Sequence, residues 1–251
     1  MRSLVPVIDD SGPRHSGCQC MVHDHAAGSR VSRRGFLATA TASGIILGSA
    51  APFASRTASA QSVLSPDAAL ARLMDGNARF MTGRLASFDE DLTILKQNTV
   101  AKQEPFAAVL SCIDSRVPVE LAFDESIGHL IVARVAGNIC TSEIVASLEY
   151  GAAVLGTKVI VVLGHSGCGA VKATIAAKPV PGQISALYAP IRPAVERAGS
   201  DPDTVSRANA QIQADLLRTA SPVIADLMAA GKLKVVAGFY ELASGQVSLL
   251  T

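Results

Sequence analysis

The chain has 251 residues, with 22 Lys+Arg against 21 Asp+Glu and a formal net charge of +1. That is length enough for a full hydrophobic core, and nothing in the charge suggests a nucleic-acid partner. A hydrophobic fraction of 49% without a single Trp excludes a disordered or fibrous chain and points to a packed interior rich in Ala and Val.

The first 60 residues read differently from the rest. Ser32-Arg33-Arg34-Gly35-Phe36-Leu37 has the pattern of a twin-arginine export signal. A mildly apolar stretch from Ala38 to Phe53 follows, then Ala58-Ser59-Ala60, an A-x-A processing site. Cleavage before Gln61 leaves 61–251 as one domain, carried by the twin-arginine machinery to the periplasm or another extracytoplasmic space. The alternative is an uncleaved anchor. The stretch is short for a span, however, and carries Thr39, Thr41, Ser43, Gly44, Gly48 and Ser49. His15, Cys18, Cys20, His23 and His25 have metal-ligand chemistry but lie in the discarded segment, and a start at Met21 makes the signal one of ordinary length. Removing 1–60 takes six Arg and three Asp, so the net charge becomes about −2.

In the mature chain, Pro66 to Thr82 has apolar residues at helical spacing (Ala69, Leu73, Ala78, Phe80), with Ser65 placed to cap. Asp91 to Lys102 reads as a second, more polar helix. Phe106–Ser111, Leu130–Arg134, Val159–Leu163 and Leu233–Tyr240 are short, continuous apolar runs of the kind a parallel sheet buries on both faces. Helices fit at Ser142–Leu155, Gly169–Ala177 and Asp203–Ala230, the last closed by Gly231. Pro179–Ile191, rich in Pro and Gly, reads as a loop. Gln246–Leu250, after Ser244-Gly245, adds a hairpin strand. The expected fold class is therefore α/β, a mostly parallel central sheet flanked by helices with an antiparallel C-terminal edge strand.

Two of those strands end on reactive side chains. Cys112 closes the first apolar run, and His165 and Cys168 follow the third, just past Gly164. Ligands of open α/β sheets bind at the carboxyl edge of the strands. Two thiols and an imidazole suit zinc, and three protein ligands with one open position is the catalytic pattern. Asp114 and Arg116 stand beside Cys112, where an Asp-x-Arg pair is either a surface ion pair or part of the chemistry. Cys140 is most simply a packed small residue. With Cys112 and Cys168 on a metal no disulfide framework remains, and export of the folded chain lets zinc load while the thiols are reduced. The cysteines form no Cys-x-x-Cys motif, which disfavours a thiol redox protein.

Cys112-Ile113-Asp114-Ser115-Arg116 and His165-Ser166-Gly167-Cys168-Gly169, with Arg134-Val135-Ala136-Gly137-Asn138 and Ser147-Leu148-Glu149-Tyr150 between them, resemble the β-class carbonic anhydrases. The resemblance runs from about Ala68, through Asp75-Gly76-Asn77-Ala78-Arg79-Phe80, to the C-terminus. It implies that 61–251 is a single catalytic domain holding one zinc per subunit on Cys112, His165 and Cys168. It also implies reversible hydration of carbon dioxide to bicarbonate and a proton, in a homodimer or higher even-numbered homo-oligomer. Asp114 and Arg116 become the catalytic dyad: Asp114 is the fourth zinc ligand in a closed state, and in an open state Arg116 draws it away to orient the nucleophile. Gln103, Ile131, Ala136 and Tyr150 are implied as substrate-binding residues, some of them donated across a dimer interface.

Two departures from the family stand out. Ile127-Gly128-His129 replaces a turn that ends on an acidic residue in many members, and His129 reads as a loop histidine rather than a proton shuttle. Val109 replaces the Trp of members regulated by bicarbonate, although Arg134 and Tyr150 are kept. The expectation is an open site with water as fourth zinc ligand. Two alternatives share these residues: hydrolysis of carbon disulfide or carbonyl sulfide, and a non-catalytic zinc-binding scaffold.

Overall fold

Five strands form one sheet in the order β2-β1-β3-β4-β5 in the computed structural model, which describes residues 62–87 and 92–251. The strands are β1 (Ala107–Ser111), β2 (Leu130–Arg134), β3 (Val159–His165), β4 (Lys234–Tyr240) and β5 (Val247–Leu250). The first four run parallel and β5 returns antiparallel along β4. This is the expected α/β class with its antiparallel edge. The export signal and its processing site lie outside the described residues.

The pleat sorts the core. Ala107, Val109, Val159, Val161 and Leu163 pack with Ala69 and Leu73 of helix α1 (Pro66–Met81). Their neighbours Ala108, Leu110, Ile160 and Val162 pack with Ala210, Ala214 and Leu217 of helix α7 (Pro202–Ala220) and Ile224 of helix α8 (Pro222–Ala229). Alternate side chains of a strand face opposite ways, so continuous apolar runs serve two helical layers at once. Ser65 caps α1 by accepting from Ala68 N at 3.2 Å, and Pro66 opens it, where a missing N–H costs nothing.

The remaining helices are α2 (Leu92–Thr99), α3 (Val119–Ala122), α4 (Ser142–Glu149), α5 (Gly169–Ala176) and α6 (Tyr188–Ala198). α4 widens into a π-helical turn over Tyr150–Val154. Three boundaries differ from the sequence expectation. The long C-terminal helix is two: Ser221 before Pro222 is forced extended (φ −108°, ψ 107°), and its hydroxyl caps α8 through Ile224 N. Pro179–Ile191 is not all loop, since α6 starts at Tyr188. Pro190 falls in its first turn, where the amide is dispensable, and Ile191 and Ala194 bury its inner face. β3 also runs on past Leu163 to include His165, because Gly164 lets α7 lie against it. A Cβ at Gly164 would meet Ser206 O at 2.8 Å.

Candidate metal centre

The ends of β1 and β3 are neighbours in the sheet, so their carboxyl-terminal residues arrive together. Cys112 leaves β1, His165 ends β3, and Cys168 lies at the start of α5 after a turn through Gly167, which takes φ +64°. Sγ of Cys112, Sγ of Cys168 and the ring nitrogen of His165 lie within 4.8 Å of one another, and all three residues are buried.

The imidazole has one orientation. His165 Nδ1 is 2.9 Å from Ser166 O, and a carbonyl can only accept, so Nδ1 carries the proton. Nε2 is then a lone-pair acceptor, buried and without a hydrogen-bond partner. An orphaned buried acceptor beside two thiols is costly as a protein interior and well suited to a cation. The thiols support the same reading. Hydrogen bonding from the Cys168 thiol lowers Cys112 against the cost of burial, helped by the backbone N–H of Gly137. Cys168 is pushed the other way, since the Cys112 thiolate and burial both resist a second negative charge. One anion is comfortable here and two ask for a metal; the donor set fits zinc.

Around this trio the backbone is braced. Gly137 N donates to Cys112 Sγ at 3.3 Å. Arg134, at the end of β2, donates to Cys112 O at 2.9 Å and Asp114 O at 2.7 Å, holding the 112–114 loop in place. On the other side, Asp203 accepts from Gly167 N at 2.8 Å. Ser166 Oγ donates to Glu241 at 2.7 Å and accepts from Leu242 N at 2.9 Å. Sequence reasoning missed Gly137, Asp203 and Glu241 as parts of the centre. Gly137 alone carried a signal, a glycine inside the 134–138 motif.

Asp114 faces Arg116 and is not one of the three converging ligands. Arg116 Nε and Nη2 bind the two carboxylate oxygens at 2.9 and 2.8 Å, and Arg116 N adds a third bond at 3.0 Å. The Arg116 guanidinium, first among the causes, holds the Asp114 carboxyl well below the usual carboxylate range. The group is therefore anionic at neutral pH.

Gln103, Ile131 and Tyr150 line one cavity of about 430 Å³, with Ala146, Ser147 and Leu155. Gly151 in the π-helical turn lets Ile131 approach closely, because a Cβ there would sit 2.6 Å from Ile131 Cδ1. Ala136 does not line this cavity. It begins the turn that carries Gly137 to Cys112. Nor does the cavity open on the chain's own metal centre. Gln103 precedes β1 and Ile131 pairs with Ala108, whereas Cys112 leaves the opposite end of β1. Tyr150 is 54% exposed. His129 Nδ1 lies 2.9 Å from Glu125 and 3.1 Å from Arg72, a structural cluster at the start of β2 away from the thiols. Cys140 is a packed thiol, pushed up to about 12 by burial.

Residues 107–247 match the family model described as carbonic anhydrase. A carbonic anhydrase of Mycolicibacterium smegmatis is 37% identical over 193 residues, covering 74% of this chain and 93% of that protein. Carbonic anhydrase 2 of Mycobacterium tuberculosis is 34% identical over 196 residues with the same coverage. Among solved structures, the Coccomyxa β-carbonic anhydrase in complex with acetazolamide superposes with a TM-score of 0.58 at 25% identity. The match covers 72% of this chain and 86% of that one.

Proposed function

The chain belongs to the β-class carbonic anhydrase family, and from that premise we propose a zinc lyase that reversibly hydrates carbon dioxide to bicarbonate and a proton. The observation that carries the reading is the convergence of Cys112, His165 and Cys168 on one point, with His165 Nε2 buried and without a hydrogen-bond partner. One zinc per subunit, held by these three residues, supplies Lewis acidity that makes hydroxide available from water near neutral pH.

The chain's own residues do the rest. Asp114 is anionic and fixed by three hydrogen bonds from Arg116, so it accepts a hydrogen bond from the attacking oxygen and aims its free lone pair at carbon. Addition forms one C–O bond, the displaced C=O electron pair becomes carboxylate charge, and the proton taken from water leaves to solvent. The grip of Arg116 on Asp114 supports an open site with the fourth ligand position left to water. Val109 offers no indole N–H to hold a bicarbonate in the regulatory manner.

Carbon dioxide has no charge or donor, so its pocket must be apolar and dry. Ile131 and Tyr150 supply such a surface, with the Gln103 amide at its edge and Ala136 beside the loop around Cys112. Because their cavity opens at the end of β1 opposite Cys112, we propose a homodimer, or a higher even-numbered assembly, in which this cavity meets the metal centre of the other copy.

The test is metal content together with stopped-flow carbon dioxide hydration on the purified chain lacking residues 1–60. About one zinc per chain and a rate abolished by chelation and restored by zinc are expected. A zinc-loaded protein inert toward carbon dioxide but active on carbon disulfide reassigns the substrate; one inert toward both is a scaffold.

A further inference from the structure

The turn over Ala136–Asn138 is built from the two residue types that enter the left-handed region most readily. Gly137 takes φ +74° and Asn138, with a Cβ, takes φ +43°, two left-handed residues in succession. What the turn accomplishes is to aim Gly137 N–H at Cys112 Sγ, 3.3 Å away. Something must keep it there.

Two polar side chains one helical turn apart on α7 do so. Asn209 is fully buried, and its Nδ2 donates to Gly137 O at 2.8 Å. Gln213, 1% exposed, accepts from Cys140 N at 2.8 Å and donates to Pro190 O of α6 at 3.1 Å. The two amides also face each other, Gln213 Nε2 lying 3.4 Å from Asn209 Oδ1. Their bonds reach Gly137 inside the turn, Cys140 two residues beyond it, and the neighbouring helix. α6 closes the remaining side, since a Cβ on Gly137 would lie 2.6 Å from Ile191 Cδ1. Burying two amides is expensive unless every partner is in place. A helix that needed only packing would carry Ala or Leu there.

We infer that Asn209, seconded by Gln213, is a positioning residue for the metal centre: by holding the Gly137 carbonyl it fixes the backbone of that residue, whose N–H then holds Cys112 Sγ in the ligating orientation. The inference rests on Cys112, His165 and Cys168 being the metal ligands. Gly137 is one hydrogen bond from a ligand sulfur, the kind of partner that typically governs metal affinity by about 10- to 100-fold, and Asn209 acts through it. Asn209 removes no ligand atom and touches no substrate, so its effect is read on the metal and only then on rate.

The experiment compares the unaltered chain with Asn209→Ala and, as a control, Leu73→Ala. Leu73 is equally buried but packs in the core on the α1 face, away from the turn. Zinc affinity is measured by chelator competition, and the thiolate-to-cobalt charge-transfer band is recorded on cobalt-substituted protein. Asn209→Ala should bind zinc at least about tenfold more weakly and show a shifted or weakened band. Leu73→Ala should lose thermal stability and keep both metal readouts. Unchanged affinity and band in Asn209→Ala overturn the inference, as does an equal change in Leu73→Ala. Should Asn209→Ala not fold, the unaltered chain loaded with cadmium-113 decides. Scalar coupling from the Gly137 amide proton to the metal through sulfur is expected, and its absence overturns the inference. If the unaltered chain shows no thiolate-to-cobalt band at all, the ligand assignment itself fails, a result distinct from either outcome for Asn209.

Discussion

Cys168 and Asp114 stand in the same crevice but lose different things on substitution. Cys168→Ala removes one of three converging ligand atoms, so metal and activity are expected to disappear together. Zinc that stays at one per chain after desalting would reveal a different ligand set. Asp114 turns its carboxylate to Arg116 and is outside the trio. Asp114→Ala should therefore keep its zinc while kcat falls by roughly 10²-fold or more, the usual worth of a positioned proton acceptor. Full activity in that variant would reduce the dyad to a surface ion pair. The cluster of Cys112, His165 and Cys168 was legible in the sequence, since residue type and placement after apolar runs are local information. The roles of Gly137 and Arg134 were not, because each is a backbone contact made across the sheet.

At the scale of elements, the segment after α3 shows how a single carboxylate holds two pieces together. Asp124, at φ +48° and buried, accepts from Arg79 Nε of α1 at 2.5 Å and from the N–H groups of Ala86 and Ser87. Burial alone would raise its carboxyl. The Ala86 and Ser87 N–H groups and Arg79 outweigh that and hold it well below the usual carboxylate range. A depressed folded pKa stabilises above the unfolded value of about 3.9, and the benefit fades as pH falls through the folded one. Asp124→Asn should cost about 1.5–3 kcal/mol at pH 7, the worth of hydrogen bonds to a charged group, and progressively less below pH 4. Denaturant melts of both chains at pH 7 and pH 3 measure it, and a gap that does not narrow on acidification defeats the assignment. The same scale shows where pattern reading stops. β2 falls on Leu130–Arg134 as expected from its apolar run, and Ser65 caps α1. Pro190 and Pro193 masked α6, because the apolar face of Ile191 and Ala194 gains its meaning only when the turn beneath it exists.

For the whole molecule, we propose that the N-terminal 60 residues direct export through the twin-arginine route. Changing Arg33 and Arg34 to Lys should leave the precursor in the cytoplasm, while the unaltered chain is recovered outside it beginning near Gln61. Fractionation with N-terminal sequencing measures both, and efficient export of the double-Lys chain would mean a general secretory signal. Folding before transport matters for this centre, since Cys112 and Cys168 sit close enough to be oxidised together if they reach an oxidising compartment without metal.

The sequence by itself determined the fold class and singled out the three residues that converge, Cys112, His165 and Cys168, and the Asp114–Arg116 pair. Strand runs, a Cys at the end of one, a His-x-x-Cys after another and an Asp-x-Arg are short-range patterns whose chemistry travels with them. Only the tertiary structure decided that Gln103, Ile131 and Tyr150 share a cavity turned away from their own Cys112. It alone also placed two buried amides of α7 behind the turn that touches the Cys112 sulfur. The physical reason is the same in both cases. Which residues meet across a sheet follows from strand order, register and the left-handed turn at Gly137, and no local pattern of apolar and polar residues encodes those long-range choices.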